Sequence, residues 1–324
     1  MKIGIVGAGA IGGLLGVSLA QVQDVDVSVL ARGATLDAMN RHGWRLLSGG
    51  EMRTGAVRAD ADPAALGQQD VLIVAVKGQA LPSLASALRP MIGADTIVLP
   101  AMNGVPWWFC KKIAQFDGYP LESVDPGGRI DDAISFEHVL GCVVHASAST
   151  PEPGMVDHKM GRGLIIGEPS GGSSARVDGL AGVLRAAGFD VTVSANIRHD
   201  IWYKLWGNLT MNPVSAMTGA TIDRLLGDPL VREFCSAAMR EAAEIGRRVG
   251  CVINQSPDDR HAVTAKLGAF KTSMLQDVEA GRAMELDAIV GVVHEIGRRL
   301  DVPTPSVDAL FGLSRLFGRS HALY

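Results

Sequence analysis

The sequence predicts an α/β chain in two parts: a Rossmann-type dinucleotide-binding domain over residues 1–195 and an all-helical domain over residues 196–324. Three observations carry that expectation. A short β-branched run, Ile3 to Val6, turns directly into Gly7, Gly9 and Gly12 in the order GxGxxG. Further apolar runs of strand length, Val25 to Leu30, Val71 to Lys77 and Thr96 to Pro100, are spaced as parallel strands joined by crossovers require. From Ile197 onward the pattern is helical almost to the end.

Each element has its own reason. Lys2 and the uncharged stretch up to Gln23 superficially resemble a leader or a membrane span, but the glycine placement decides for a strand, a tight turn and a helix from Ile11 to Ala20. Gly7 makes the turn, Gly9 lets the backbone approach a pyrophosphate, and Gly12 permits close helix packing. Ala8, Ala10 and Ile11 complete this cofactor-binding segment, whose helix N-terminus offers N–H donors to phosphate. The second strand ends at Ala31-Arg32-Gly33, and Arg32 lies twenty residues after Gly12, where a carboxylate would take the ribose hydroxyl of NAD. A guanidinium there suits a 2′-phosphate instead, so NADPH/NADP is the expected cofactor, with an ordinary loop cation as the other reading.

Lys77 and Asn103 fall at the carboxyl ends of the third and fourth strands, the edge where open α/β sheets bind ligands. A strand-end lysine and a structural Asx turn at Asn103-Gly104 are the alternatives. Residues 105–135 read as an irregular insertion in the first domain. Its Trp107, Trp108 and Phe109 are expected to line a pocket, cover one, form a subunit contact or anchor a surface loop. HVLGCVVHAS and GRGLIIGE return to strand, and a last helix-to-strand unit closes the domain near Ser194.

In the helical half, DIWYKLWGNLTMNPVSA places Lys204, Asn208 and Asn212 at i, i+4 and i+8, one face of a helix. Either this is a solvated stripe or it is a row of site groups. Ser273 and Glu285 lie twelve apart, about three helical turns, and a bend at Gly281 would bring them to one cleft.

Composition limits the function classes. A net charge of -4 over 324 residues and the lack of a dense basic run give no footprint for nucleic acid and no draw to a membrane surface. A small-molecule enzyme of the cytoplasm is expected. The four cysteines, at 110, 142, 235 and 251, form no CxxC pair and suit a reducing compartment. His138, Cys142 and His145 lack a fourth ligand at a recognisable spacing, so no metal is expected. The apolar stretch Leu310 to Phe317 is compatible with a homodimer.

GAGAIG near the start, AVK at Ala75 to Lys77, Asn103-Gly104, KLWGNLTMNPVSA and TSMLQDVEAGRAMELDAIVG together resemble the ketopantoate reductase family, in chain order and across both parts. The last two motifs are the specific ones. The resemblance implies NADPH-dependent reduction of 2-dehydropantoate, a small 2-oxo acid, to pantoate on the way to pantothenate and coenzyme A. It implies Lys204 as the catalytic lysine that protonates the keto oxygen and Glu285 as the acid that binds substrate and orients the site. It assigns Asn208, Asn212 and Ser273 to substrate, Asn103 and Lys77 to the neighbourhood of the nicotinamide, and Arg32 to the 2′-phosphate. The insertion departs from the family pattern, which leaves a bulkier 2-oxo acid or ketone as an alternative substrate. A binding protein that lost catalysis is the rival from another class, and a pure binder needs neither Lys204 nor Glu285. A dehydrogenase running the oxidative direction is the second enzyme reading.

Overall fold

The computed structural model describes residues 1–324. Its strands, in chain order, are β1 (Lys2–Val6), β2 (Asp26–Leu30), β3 (Trp44–Ser48), β4 (Glu51–Gly55), β5 (Val57–Asp60), β6 (Gln69–Val74), β7 (Ile92–Pro100), β8 (Gly141–Glu152), β9 (Met155–Gly167) and β10 (Asp190–Val193). Five of them pair in parallel in the order β5-β2-β1-β6-β7. β1 is central and, after Lys2, wholly buried, which is why it reads as an unbroken apolar run rather than an alternating one.

A second sheet, β10-β9-β3-β4 with β8 also paired to β9, was only partly foreseen. Its β8 and β9 match the two late strand signals, whereas β3 and β4 went unread because their short segments are partly exposed and polar. Helix α1 (Ala10–Leu19) packs against this sheet through Gly13 and Gly16. A Cβ on Gly16 would lie 2.2 Å from the Trp44 ring, so the indole occupies space that only a glycine leaves open. Trp44 is fully buried there and joins one continuous core with Ile3, Ile5, Leu14 and Leu46.

Contacts divide the chain into an α/β unit, Met1–Met102 with Arg129–Asp200, and a helical unit, Asn103–Gly128 with Ile201–Tyr324. This differs from the expected layout in two ways. The boundary falls between Asp200 and Ile201, so the first turn of the long helix Ile197–Thr218 counts with the α/β unit. The segment from Asn103 to Gly128 packs within the helical unit, whereas the expected insertion at 105–135 was placed in the first domain. Only its end, including the short helix Arg129–Ala133, belongs to the α/β unit.

Two interactions explain that placement. Trp107, Trp108 and Phe109 are all buried, and Phe109 stacks on Trp202 of the long helix with ring centroids 5.6 Å apart. The aromatic trio is therefore core, which removes the reading of an exposed lid and agrees with that of aromatic anchors pinning an irregular segment. Farther along, the Glu295 carboxylate accepts from the Glu122 amide at 2.9 Å, the Ser123 amide at 2.8 Å and the Ser123 hydroxyl at 2.6 Å. Arg299 adds a bond to the Pro120 carbonyl at 3.2 Å.

No helix is long and apolar enough to cross a membrane. The four cysteines are buried and form no disulfide, and burial pushes the Cys235 thiol up to about 11, which holds it in the protonated, unreactive form.

Glu295→Ala removes one acceptor that serves three donors. Since a hydrogen bond to a charged group contributes about 1.5–3 kcal/mol, the variant is expected to lose stability of about that size in chemical denaturation. An unchanged midpoint would show that the aromatic anchors alone hold the segment.

Candidate active site

Two clusters of the expected residues form, one in each unit. In the α/β unit, β1 runs into Gly7, whose φ of +104° is a backbone state that L side chains rarely adopt. A Cβ on Gly12 would stand 1.9 Å from the Gly7 carbonyl oxygen, so the turn and the first turn of α1 can close only without a side chain. Gly9 behaves differently. Nothing lies within 4 Å of where its Cβ would be, and it caps α1 without a side-chain bond. The backbone is thus bare at the helix N-terminus, the condition that close approach of a phosphate requires.

Gly7, Ala8 and Gly9 line a cleft of about 640 Å³ together with Arg32, Thr35 and Val76. Arg32 is exposed at the start of α2 (Gly33–His42) and makes no capping bond there. Ala10 and Ile11 open α1, and Ile11 packs toward the core. Lys77 is half-buried just past β6, ahead of a turn at Gly78–Ala80. The hairpin tip between β8 and β9, Thr150 to Gly154, supplies a wall that the sequence reading missed. Its Pro-Glu-Pro-Gly turn was the available signal, but nothing local says which cleft it faces. Glu152 in that wall pairs with Arg45 at 2.9 Å. The glycine turn and the bare amides fit the pyrophosphate of a dinucleotide.

In the helical unit, the long helix is fixed by two indoles. Trp202 Nε1 donates to the Ala242 carbonyl at 3.1 Å and Trp206 Nε1 to the Met239 carbonyl at 2.7 Å, both on the helix Pro229–Arg248. Ile201, Leu205 and Leu209 bury alongside them. That face being committed, Lys204, Asn208 and Asn212 are aimed by the helical period to another side. They do not form a solvated stripe: Lys204 and Asn208 are half-buried and Asn212 is 6% exposed.

Lys204 Nζ donates to Asn103 Oδ1 at 3.0 Å. Asn103 is placed by its neighbour. Gly104 has φ +82°, and a Cβ on it would lie 2.2 Å from the Ala288 carbonyl oxygen, which accepts from the Val105 amide at 2.8 Å. With Ala288 O taken by Val105, the Val292 amide bonds to Asp287 O, five residues back, and a π turn forms over Asp287–Gly291. Asn103, three residues past the carboxyl end of β7, counts with the helical unit, and its bond to Lys204 was not anticipated.

Glu285 is half-buried in the segment between Gly281, at φ +65°, and that π turn. The anticipated bend at Gly281 is present. Two contacts bracket Glu285. The Met284 amide donates to the Leu323 carbonyl at 2.9 Å, and Tyr324 Oη donates to Asp287 Oδ1 at 2.8 Å. Ser273 is exposed at the start of the helix Ser273–Glu279, which Thr272 caps by accepting from the Leu275 amide. No group of three or more His, Cys, Asp or Glu side chains could hold a metal ion, and His138 Nδ1 is 2.9 Å from the Thr96 carbonyl oxygen.

Comparisons with known proteins agree with this layout. Residues 3–171 match the family described as Ketopantoate reductase PanE/ApbA, and residues 196–317 match its C-terminal part. A 2-dehydropantoate 2-reductase of Mesorhizobium japonicum is 41% identical over 325 residues, spanning all of both chains. A crystal structure from Ralstonia solanacearum MolK2, bearing a provisional ketopantoate reductase name, has a TM-score of 0.96 and 53% identity, covering 100% of this chain and 99% of that one. A D-mandelate dehydrogenase solved with NADH and anilino(oxo)acetate shares the fold at a TM-score of 0.85 and 21% identity, over all of both chains.

Burial and the bond to Asp287 push the Tyr324 phenol up to about 12 from its ordinary 10. The folded chain holds that proton more tightly than the unfolded one, so its contribution is complete below pH 10 and is lost as pH rises toward 12. Wild-type protein is thus expected to lose more stability than Tyr324→Phe between those values in parallel denaturation series. Equal losses would mean that the phenol–carboxylate bond does not secure the segment around Glu285.

Proposed function

We propose, from the premise that the chain belongs to the ketopantoate reductase family and is an oxidoreductase of that type, that it reduces 2-dehydropantoate to pantoate with NADPH, Lys204 acting as general acid. The observation that carries the proposal is the Lys204–Asn103 bond at 3.0 Å on a helix locked by Trp202 and Trp206. An ammonium with one N–H committed to a fixed amide oxygen has a defined direction, which proton transfer to a developing alkoxide requires.

Gly7, Ala8, Gly9 and Arg32 would hold the dinucleotide, which when bound supplies the hydride. Lys204 delivers a proton to the keto oxygen as negative charge gathers there, and solvent returns it. Asn208 and Asn212, uncharged and on the same side of the helix, orient the polar groups of the substrate without competing with the lysine for charge. Ser273 and Glu285 complete the substrate contacts, Glu285 being held from both sides by the contacts of Met284 and Asp287. The reading carries with it a cytoplasmic place in pantothenate biosynthesis. A homodimer is part of it as well, since Leu313 and Leu316 are 59% and 62% exposed on the helix Pro305–Ser320.

NADPH absorbance followed with purified protein and 2-dehydropantoate tests the reaction. Wild type is expected to turn over, and Lys204→Ala to lose about 10²–10⁴-fold in kcat, the usual range for a general acid. NADPH binding without oxidation by any 2-oxo acid would overturn the proposal in favour of a binding protein. Arg32→Glu is expected to weaken NADPH by about 10–100-fold with little loss for NADH, the size of a charge-assisted phosphate contact. A parallel loss for both cofactors would show that Arg32 does not read the 2′-phosphate.

A further inference from the structure

Glu285 is not carried by a helix. Residues 282–285 lie between the helix Ser273–Glu279 and the turn Asp287–Gly291 and belong to no regular element. Backbone without the bonds of a helix or a sheet must be held by other contacts if a side chain on it is to keep one position.

Those contacts come from the far end of the helix Pro305–Ser320. His321 caps that helix, Ala322 turns back with φ +54°, and the Leu323 amide donates to the Gly318 carbonyl at 2.7 Å. Helices commonly close through such a left-handed residue, but glycine is the ordinary one there, and an L side chain adopts that backbone at a cost. Two bonds offset it. Buried Leu323 offers its carbonyl to the Met284 amide at 2.9 Å, and the Tyr324 hydroxyl donates to Asp287 Oδ1 at 2.8 Å. Gly318 leaves room for the return, since a Cβ on it would stand 2.6 Å from Tyr324 Cβ and 2.8 Å from Met284 Cε. Arg319 lies over the Tyr324 ring, 5.5 Å from its centroid.

The next residue is tied from another direction, because the Ala288 carbonyl accepts from the Val105 amide at 2.8 Å. Residues 284 and 287 are thus bound to the returning chain, and residue 288 to the loop that carries Asn103. Glu285 stands between the first two of these ties.

We propose that Leu323 and Tyr324 are positioning residues for the substrate: by clasping residues 284 and 287 they fix the place from which the Glu285 carboxylate meets the 2-oxo acid. This rests on the reading of Glu285 as a substrate contact in a 2-oxo acid reductase. Their effect is exerted through Glu285 and not on the reacting atoms. Loss of the phenol bond leaves the segment tied at residue 284 alone on that side, so the carboxylate loses its fixed place and substrate binding weakens, while the chemical step of a correctly bound substrate is little changed.

Titration calorimetry of the full-length protein with 2-dehydropantoate in the presence of NADP, a complex that cannot react, tests this alongside steady-state kinetics with NADPH. Tyr324→Phe, which removes only the hydroxyl, is expected to weaken binding of the oxo acid and raise its KM by about 3–10-fold, the worth of one hydrogen bond, with kcat and the KM for NADPH changed by less than about twofold. Asp287→Ala should reproduce that shift, and Asp287→Asn, which keeps an acceptor for the phenol, should recover most of it. Gly318→Ala, which displaces the returning chain, should act in the same direction. In a Glu285→Gln background, Tyr324→Phe should weaken binding no further, because the carboxylate it positions is gone. Unchanged binding in Tyr324→Phe, or an equal loss with and without the Glu285 carboxylate, would overturn the proposal and make Tyr324 a stabilising contact only, leaving the reductase reading intact. Failure of the wild type to reduce any 2-oxo acid would instead overturn the underlying reading and this inference with it.

Discussion

The helical unit depends on two indole N–H bonds. Trp202 and Trp206 are one turn apart on the long helix, and each donates to a carbonyl of the helix Pro229–Arg248. A buried indole must place its single donor, so the two bonds set not only the distance between the helices but also the rotation of one about its own axis. Once rotation is set, the helical period decides where Lys204, Asn208 and Asn212 go. Apolar burial alone would tolerate a small roll of the helix, and the directional bonds do not.

Close backbone approach does comparable work on the segments around that helix. Gly104 against Ala288 brings two distant stretches within hydrogen-bond range, and the Val105 amide then claims a carbonyl that a regular helix would use internally. The π turn at Asp287–Gly291 is the local consequence, and Asn103 is held beside Lys204 by the same contact. In the α/β unit, Gly12 over the Gly7 carbonyl and Gly16 under the Trp44 ring set the first helix against what flanks it. These are contacts between backbone and backbone or backbone and ring, so they leave little freedom for the functional groups placed next to them.

The charges follow a different logic. Arg32 lines the cleft beside Gly7 and Gly9 and makes no capping bond at the start of α2. The pairs that are closed, such as Arg45 with Glu152 or Asp277 with Arg282, are side-chain exposed at one partner or both and contribute modestly to stability.

Much was legible in the residues themselves. Glycine spacing after a β-branched strand specifies a turn that other residues cannot make, and a three-residue polar row at helical spacing specifies a common face, because both follow from geometry within a few residues. The nucleotide turn, the apolar strands, the long helix and the turn at Gly281 were determined at that level. Which unit Asn103 to Gly128 belongs to was not, since it depends on Phe109 finding Trp202 and on Glu122 and Ser123 finding Glu295, partners far along the chain. The same holds for Tyr324 against Asp287, for the wall of the cleft at Thr150 to Gly154, and for the direct bond between Lys204 and Asn103. The sequence by itself determined which local shapes and chemical groups are present; only the tertiary structure decided which of them meet, because packing joins residues that no local period relates.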